Sequence, residues 1–156
     1  MRGNSKSLLP LVEILISTGI FAIAVVLTLQ LFLLAKFLGN KTSDVARAIF
    51  EAQNVAESIK AMKTEAEIED YIKGELKGGA VFYDGKWAVT QDESGAAYSL
   101  SITKEPVGNE FGTLYKFKID IRKTEPYPFI DDKKLEKDET YVPVLVSIDA
   151  GKFITK

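Results

Sequence analysis

Neither cysteine nor histidine occurs anywhere in the 156 residues. Disulfides, thiolate nucleophiles, imidazole general bases and the usual zinc ligands are thereby excluded. There is no glycine-rich phosphate loop and no nucleophile elbow, which removes two common transfer chemistries. Basic blocks suited to nucleic acid are missing too: beyond Ala35 the chain carries 18 basic and 21 acidic residues, interspersed. The expectation is a protein that is not an enzyme and that needs no cofactor or metal.

Charge is scarcest between Leu8 and Ala35, where 28 residues carry Glu13 as their single charge. Ile14 to Ala35 is a charge-free stretch of 22 residues. As a helix it spans about 33 Å, enough to cross roughly 30 Å of hydrocarbon. A secretory signal peptide has a shorter apolar core with a small-residue cleavage site behind it. Gln30 to Lys36 offers no such site, so the segment is expected to remain as an anchor. Arg2 and Lys6 precede the run and favour a cytoplasmic amino terminus, against the weaker opposing pull of Lys36 and Lys41. A carboxylate in hydrocarbon costs about 2.5–3.5 kcal/mol on insertion scales, which makes Glu13 a functional candidate by default. Its depth of less than about 10 Å also lets it reach the headgroups with no role at all.

The residues around Glu13 narrow the choice. Leu9-Pro10-Leu11-Val12-Glu13-Ile14-Leu15-Ile16, continuing to Ile20-Phe21-Ala22-Ile23, resembles the amino terminus of type IV pilins and type II secretion pseudopilins over about 15 residues. In that family the mature chain starts on an apolar residue, has Glu fifth and continues as one hydrophobic helix. With Leu9 first, Glu13 is fifth. The resemblance implies cleavage by a prepilin peptidase between Leu8 and Leu9, followed by N-methylation. It also implies assembly with similar subunits through the apolar helix, with Glu13 paired to the amino-terminal ammonium of a neighbour. The family's peptidase cuts after a small residue, nearly always Gly, whereas Leu8 stands there and Gly3 is the nearest glycine before it. A bulky side chain at that position is expected to make cleavage slow or absent.

Beyond the run, Val45, Ile49, Ala52, Ala56 and Ile59 recur at spacings of four and three, one apolar stripe of a helix. One helix of about 50 residues is expected, from near Leu9 to Met62, with a bend possible at Gly39-Asn40. A capping box at Thr64 and Glu67 opens a second helix, whose face is Ile68, Tyr71, Ile72 and Leu76 and whose stop is Gly78-Gly79. The period then changes to two. Asp84-Gly85 predicts a two-residue hairpin that sets Phe82 opposite Trp87. Tyr98 to Thr103 alternates, and Leu114 to Arg122 alternates most clearly, with Tyr115, Phe117, Ile119 and Ile121 on one face. Tyr141 to Ile148 is the last expected strand, and Pro143 places it at an edge or a bulge. Between these strands, Pro126, Pro128 and the charge run Asp131 to Glu139 read as a solvated loop, since their spacing does not match a calcium-binding loop. Tyr127 and Phe129 on that loop are expected to fold back onto the sheet.

The fold expected is α+β: a long amino-terminal helix, half transmembrane and half amphipathic, packed on an antiparallel sheet of four or five strands. Residues 1–8 form a short basic leader, 9–36 the membrane helix and 37–156 an extracytoplasmic domain. The expected function is structural, as a membrane-anchored pilin-like or minor pseudopilin subunit that polymerises with similar chains. The alternative is an uncleaved, single-pass anchored binding domain that never polymerises. Leu8 at the cleavage position and basic residues on both sides of the membrane run favour it.

Overall fold

A computed structural model describes residues 5–128 and 143–155, the side chains of 5–9 and of 109 excepted. It divides into two compact units, one ending at Gly39 and the other beginning at Asn40. Helix α1 (Ser5–Ala61) is assigned without a break through Gly39-Asn40. It starts earlier than the pattern from Leu9 indicates, because Ser5 to Leu8 contain nothing that stops a helix.

In the first unit α1 stands alone, and from Leu11 to Leu34 its large apolar side chains are exposed on every side. A helix that is hydrophobic all round suits lipid and not water. This one is long and apolar enough to cross a membrane. Thr28 Oγ1 donates to the carbonyl of Ala24 at 2.8 Å, which satisfies a hydroxyl that lipid cannot.

In the second unit, α1 is followed by α2 (Glu65–Gly74), β1 (Ala80–Tyr83), β2 (Val89–Thr90), β3 (Tyr98–Asn109), β4 (Gly112–Lys123) and β5 (Val144–Thr155). The five strands form one antiparallel sheet in the order β2-β1-β3-β4-β5. The fold is therefore α+β, with the carboxyl part of α1 packed on the sheet. Tyr115, Phe117, Ile119 and Ile121 alternate inward along β4 as expected, all within 5% exposure, and share one core with Leu100, Ile59 and Ile68. Lys116, Lys118 and Arg122 lie on the opposite, wet face.

The helix stripe differs from the sequence pattern by about one residue. Ala48, Ala52, Val55, Ala56 and Ile59 are buried, whereas Ile49 is 38% exposed and Val45 half-buried. Closeness of approach decides this: α1 presents its smallest side chains to the sheet, and the bulkier Ile49 turns aside.

The capping box at α2 forms. Thr64 Oγ1 accepts from the amide of Glu67 at 3.2 Å, and Glu67 Oε2 accepts from the amide of Lys63 at 2.8 Å. The Lys63 amide foremost, and then the amide and hydroxyl of Thr64, hold the Glu67 carboxyl below its usual range. The helix ends at Gly74, with Glu75 as its cap, whose amide donates to the carbonyl of Tyr71 at 2.9 Å. Leu76 is still buried, from a turn in which Gly78 and Gly79 adopt positive φ. At Gly79 the backbone passes the sheet closely enough for its carbonyl to accept from the amide of Ile102 at 2.9 Å.

The two-residue hairpin does not form. Residues 84–88 make a longer turn, and Phe82 pairs with Thr90, not with Trp87. Asp84 explains the difference: its Oδ1 accepts from the amides of Lys86 at 2.8 Å and Ala88 at 2.9 Å, closing a wider loop around its own side chain. Trp87, at φ +65°, is thrown out of the ladder and stacks on Tyr98 at 4.1 Å between ring centroids.

Two strands run further than their local pattern indicates. β3 continues through Pro106 to Asn109, which is tolerated because β1 pairs only with residues 98–101 and leaves this stretch a free edge among the described residues. β5 begins after Pro143 and continues through Asp149-Ala150-Gly151 to Thr155, its weak local propensity overridden by full pairing with β4. Tyr141 and Val142, read as its start, lie outside the described residues. β5 is an edge strand, with a register shift at Ile121/Arg122, as Pro143 indicates.

Because α1 has its own sheet to cover, a fragment beginning near Lys41 should be soluble, monomeric and cooperatively folded. Sedimentation and thermal unfolding check this. Aggregation, or unfolding without a transition, would mean that the alanine face belongs between molecules.

Candidate functional site in the apolar helix

Among the described residues, three arrangements are singled out by their polar chemistry. The first is Glu13 on α1. Its neighbours at one-turn spacing include Leu9, Pro10, Ile16 and Ser17, so an acid stands among apolar and small groups. Its side chain is exposed on the isolated helix, as are Leu11, Val12, Ile14 and Leu15 beside it. Leu8 and Leu9, the expected processing positions, lie in the first two turns of α1, and their side chains fall outside the described ones. Pro10 lies inside the helix, the sixth residue from Ser5, where it cannot donate to the carbonyl of Lys6. In a chain that began at Leu9, the same proline would sit in the first turn, where no donor is missed.

The second is a polar knot at the end of the globular unit where the chain enters it. Asp44 of α1 accepts from the Tyr127 hydroxyl at 2.5 Å and pairs with Lys123 Nζ at 3.4 Å. Lys123 Nζ also donates to the Tyr98 hydroxyl at 3.2 Å. Burial first, and the bond to Asp44 second, push the Tyr98 phenol far above its ordinary pKa. Tyr127 is thus buried, but against Asp44 and Lys41 of α1 and the Lys123 ammonium and not in the core of the sheet as expected, because its hydroxyl finds a carboxylate there. Phe129 and the charge run Asp131 to Glu139 lie outside the described residues.

The third joins α2 to the sheet. Lys104 Nζ lies 3.0 Å from Glu65 Oε1 and 2.7 Å from Glu69 Oε1, and 4.6 Å above the Tyr115 ring. Burial alone would lower the Lys104 pKa, but its bonds to Glu69 and Glu65 outweigh it and raise the value. The Tyr115 hydroxyl first, then Lys104, hold the Glu65 carboxyl below its usual range. Lys104 first, then Lys73, do the same for Glu69.

On the wet face of the sheet, a groove of about 550 Å³ is lined by Thr103, Glu105, Leu114, Lys116, Lys118 and Asp149 among others. Its charges alternate in sign across the strands, with Lys116 opposite Glu105 and Lys118 opposite Asp149. Such a face solvates itself and carries no convergent set of groups. Among the described residues no three His, Cys, Asp or Glu side chains are placed to hold a metal. No family model, no curated protein and no solved structure matches this chain.

The Lys104 cluster makes a pH prediction. Carboxyl groups held below their usual range contribute stability that is present above the unfolded carboxylate range and is lost as pH falls through the folded values. Lys104→Met should lower stability near pH 7 and leave a smaller further loss between about pH 5 and about pH 3. Urea unfolding of wild type and variant across that range checks it. Parallel curves would show that the cluster adds nothing.

Proposed function

We propose that this protein is a membrane-anchored, pilin-like or minor pseudopilin subunit that assembles with similar chains through its apolar amino-terminal helix. The observation that carries the reading is Glu13, the one charge between Leu8 and Ala35 in a helix long and apolar enough to cross a membrane. Its spacing from Leu9 is that of the resembled family. A lone carboxylate in lipid is costly, and so is a lone ammonium; brought together between subunits, they offset that cost. Pro10 supports the same reading, since removal of residues 1–8 would turn an interior proline into a first-turn one. The amino terminus lies in the cytoplasm and the α+β head outside it, with Arg2 and Lys6 holding the orientation. The partners are similar subunits, the membrane and a prepilin peptidase.

Glu13→Gln and Glu13→Ala should leave the amount of protein in the membrane unchanged and abolish cross-linking to partner subunits. Wild-type cross-linking in the alanine variant would sink the role of Glu13 in assembly.

A second reading rests on Leu8. A branched side chain at the position where the backbone must come close hinders a site shaped for Gly. An uncleaved chain retains no ammonium beside Glu13, and the protein is then a permanently anchored, non-polymerising binding domain. Intact mass of the protein from its native membrane separates the two. A species starting at Leu9, especially one heavier by a methyl group, establishes the pilin route; the full-length mass establishes the anchored domain.

A further inference from the structure

The knot at Asp44 has a geometry that simple ion pairing does not require. Lys123 Nζ lies 4.5 Å from the centroid of the Tyr98 ring and 4.9 Å from that of Tyr127. An ammonium between two aromatic faces, with a carboxylate at 3.4 Å, has the surroundings that proteins use to recognise alkylammonium ligands. The side chains of Lys123 and Asp44 are 18% and 16% exposed, so water screens the pair only partly. Lys41 lies 5.5 Å above the Tyr127 ring. The Tyr127 ring therefore meets two cations, while Asp44 is paired with Lys123.

Each wall comes from a different part of the chain: Asp44 from α1, Tyr98 from the start of β3, and Tyr127 from the segment that leaves β4. That segment is fastened again at Thr124, whose amide donates to Ala97 O at 2.9 Å and whose hydroxyl donates to Ala96 O at 2.7 Å. Tyr98 belongs to the continuous apolar core of the sheet and helices, whereas Asp44, Lys123, Thr124 and Tyr127 do not, so the cage is fixed to the core on the Tyr98 side alone.

We propose that Asp44, Tyr98 and Tyr127 build an alkylammonium-binding cage, occupied from within by Lys123, which straps the segment leaving β4 to α1. The strap is separable from the core: opening it frees residues 124–128 and leaves β3 and β4 paired. The cage recognises its occupant by charge and alkyl shape, so a free alkylammonium ion can replace a missing Lys123 side chain. This inference does not depend on how the protein assembles.

Hydrogen exchange of the full chain in detergent micelles tests it. Lys123→Ala should speed exchange of the Thr124 amide, the bonded donor of residues 124–128, by about tenfold or more, the scale of a lost charge-assisted bond. Exchange at Ile119 and Ile121 should stay unchanged. Adding n-butylammonium should restore protection in Lys123→Ala, while n-butanol should not. Asp44→Asn should open the same segment and abolish the rescue when combined with Lys123→Ala. Tyr127→Phe, which keeps the ring and loses one bond, should open the segment by less. The proposal is overturned if exchange in Lys123→Ala matches wild type. Rescue by the alcohol as well as by the ammonium, or no rescue at all, overturns it too. It also fails if the β4 amides lose protection together with residues 124–128 in all three single variants.

Discussion

Everything in the globular unit depends on how near α1 can lie to the sheet, and Ala48, Ala52 and Ala56 set that distance. Each is within 4% of full burial, and each presents one methyl group where a larger side chain would hold the helix away. Across from them, Tyr115, Phe117, Ile119 and Ile121 supply the volume that the alanines do not. Small residues on one layer and large ones on the other give dense packing without voids. Polar contacts then pin the helix at both ends of the contact. Asp44 is bound by Tyr127 and Lys123 at one end, and Lys152 Nζ donates to the carbonyl of Lys60 at 2.6 Å at the other. A cation on the last turn of a helix also meets the negative end of its dipole.

The fold was largely legible where periodicity is strong and local. β4 could be read residue by residue, because four apolar and four polar side chains alternate without interruption. The cap of α2 was legible because its groups lie within four residues of each other. What escaped was set by partners distant in sequence. Nothing around Asp149-Ala150-Gly151 favours a strand, and those residues are extended because β4 pairs with them. Pro106 reads as the end of a strand until it is known that β1 stops short of it. At the hairpin, a local signal lost to another local signal, since the Asp84 carboxylate reaches two amides beyond the tight turn that Asp84-Gly85 encodes.

The candidate residues divide in the same way. Glu13 is conspicuous in sequence, as one charge among uncharged neighbours. Asp44 is not: on the helix it lies beside the apolar stripe, like any solvated acid. Its partners Lys123 and Tyr127 stand 79 and 83 positions later. The faint signal was Tyr127 itself, an aromatic residue between two prolines just before a charged run, which needs something to cover it.

The strand order also bears on how the fold is reached. Neighbours in the sheet are close to neighbours in sequence, and β3, β4 and β5 follow one another as successive antiparallel partners. The β3–β4 pairing closes a two-residue turn and is quick to form, whereas β5 reaches β4 only across the 20 residues between Lys123 and Val144. In a chain delivered from its amino end, the alanine face of α1 is present before any strand, and each later strand has a surface waiting for it. β5, the last to arrive, adds at an open edge and never has to be inserted between strands already paired. Vectorial synthesis or export can therefore build this domain in the order of its sequence, with no step that must be undone.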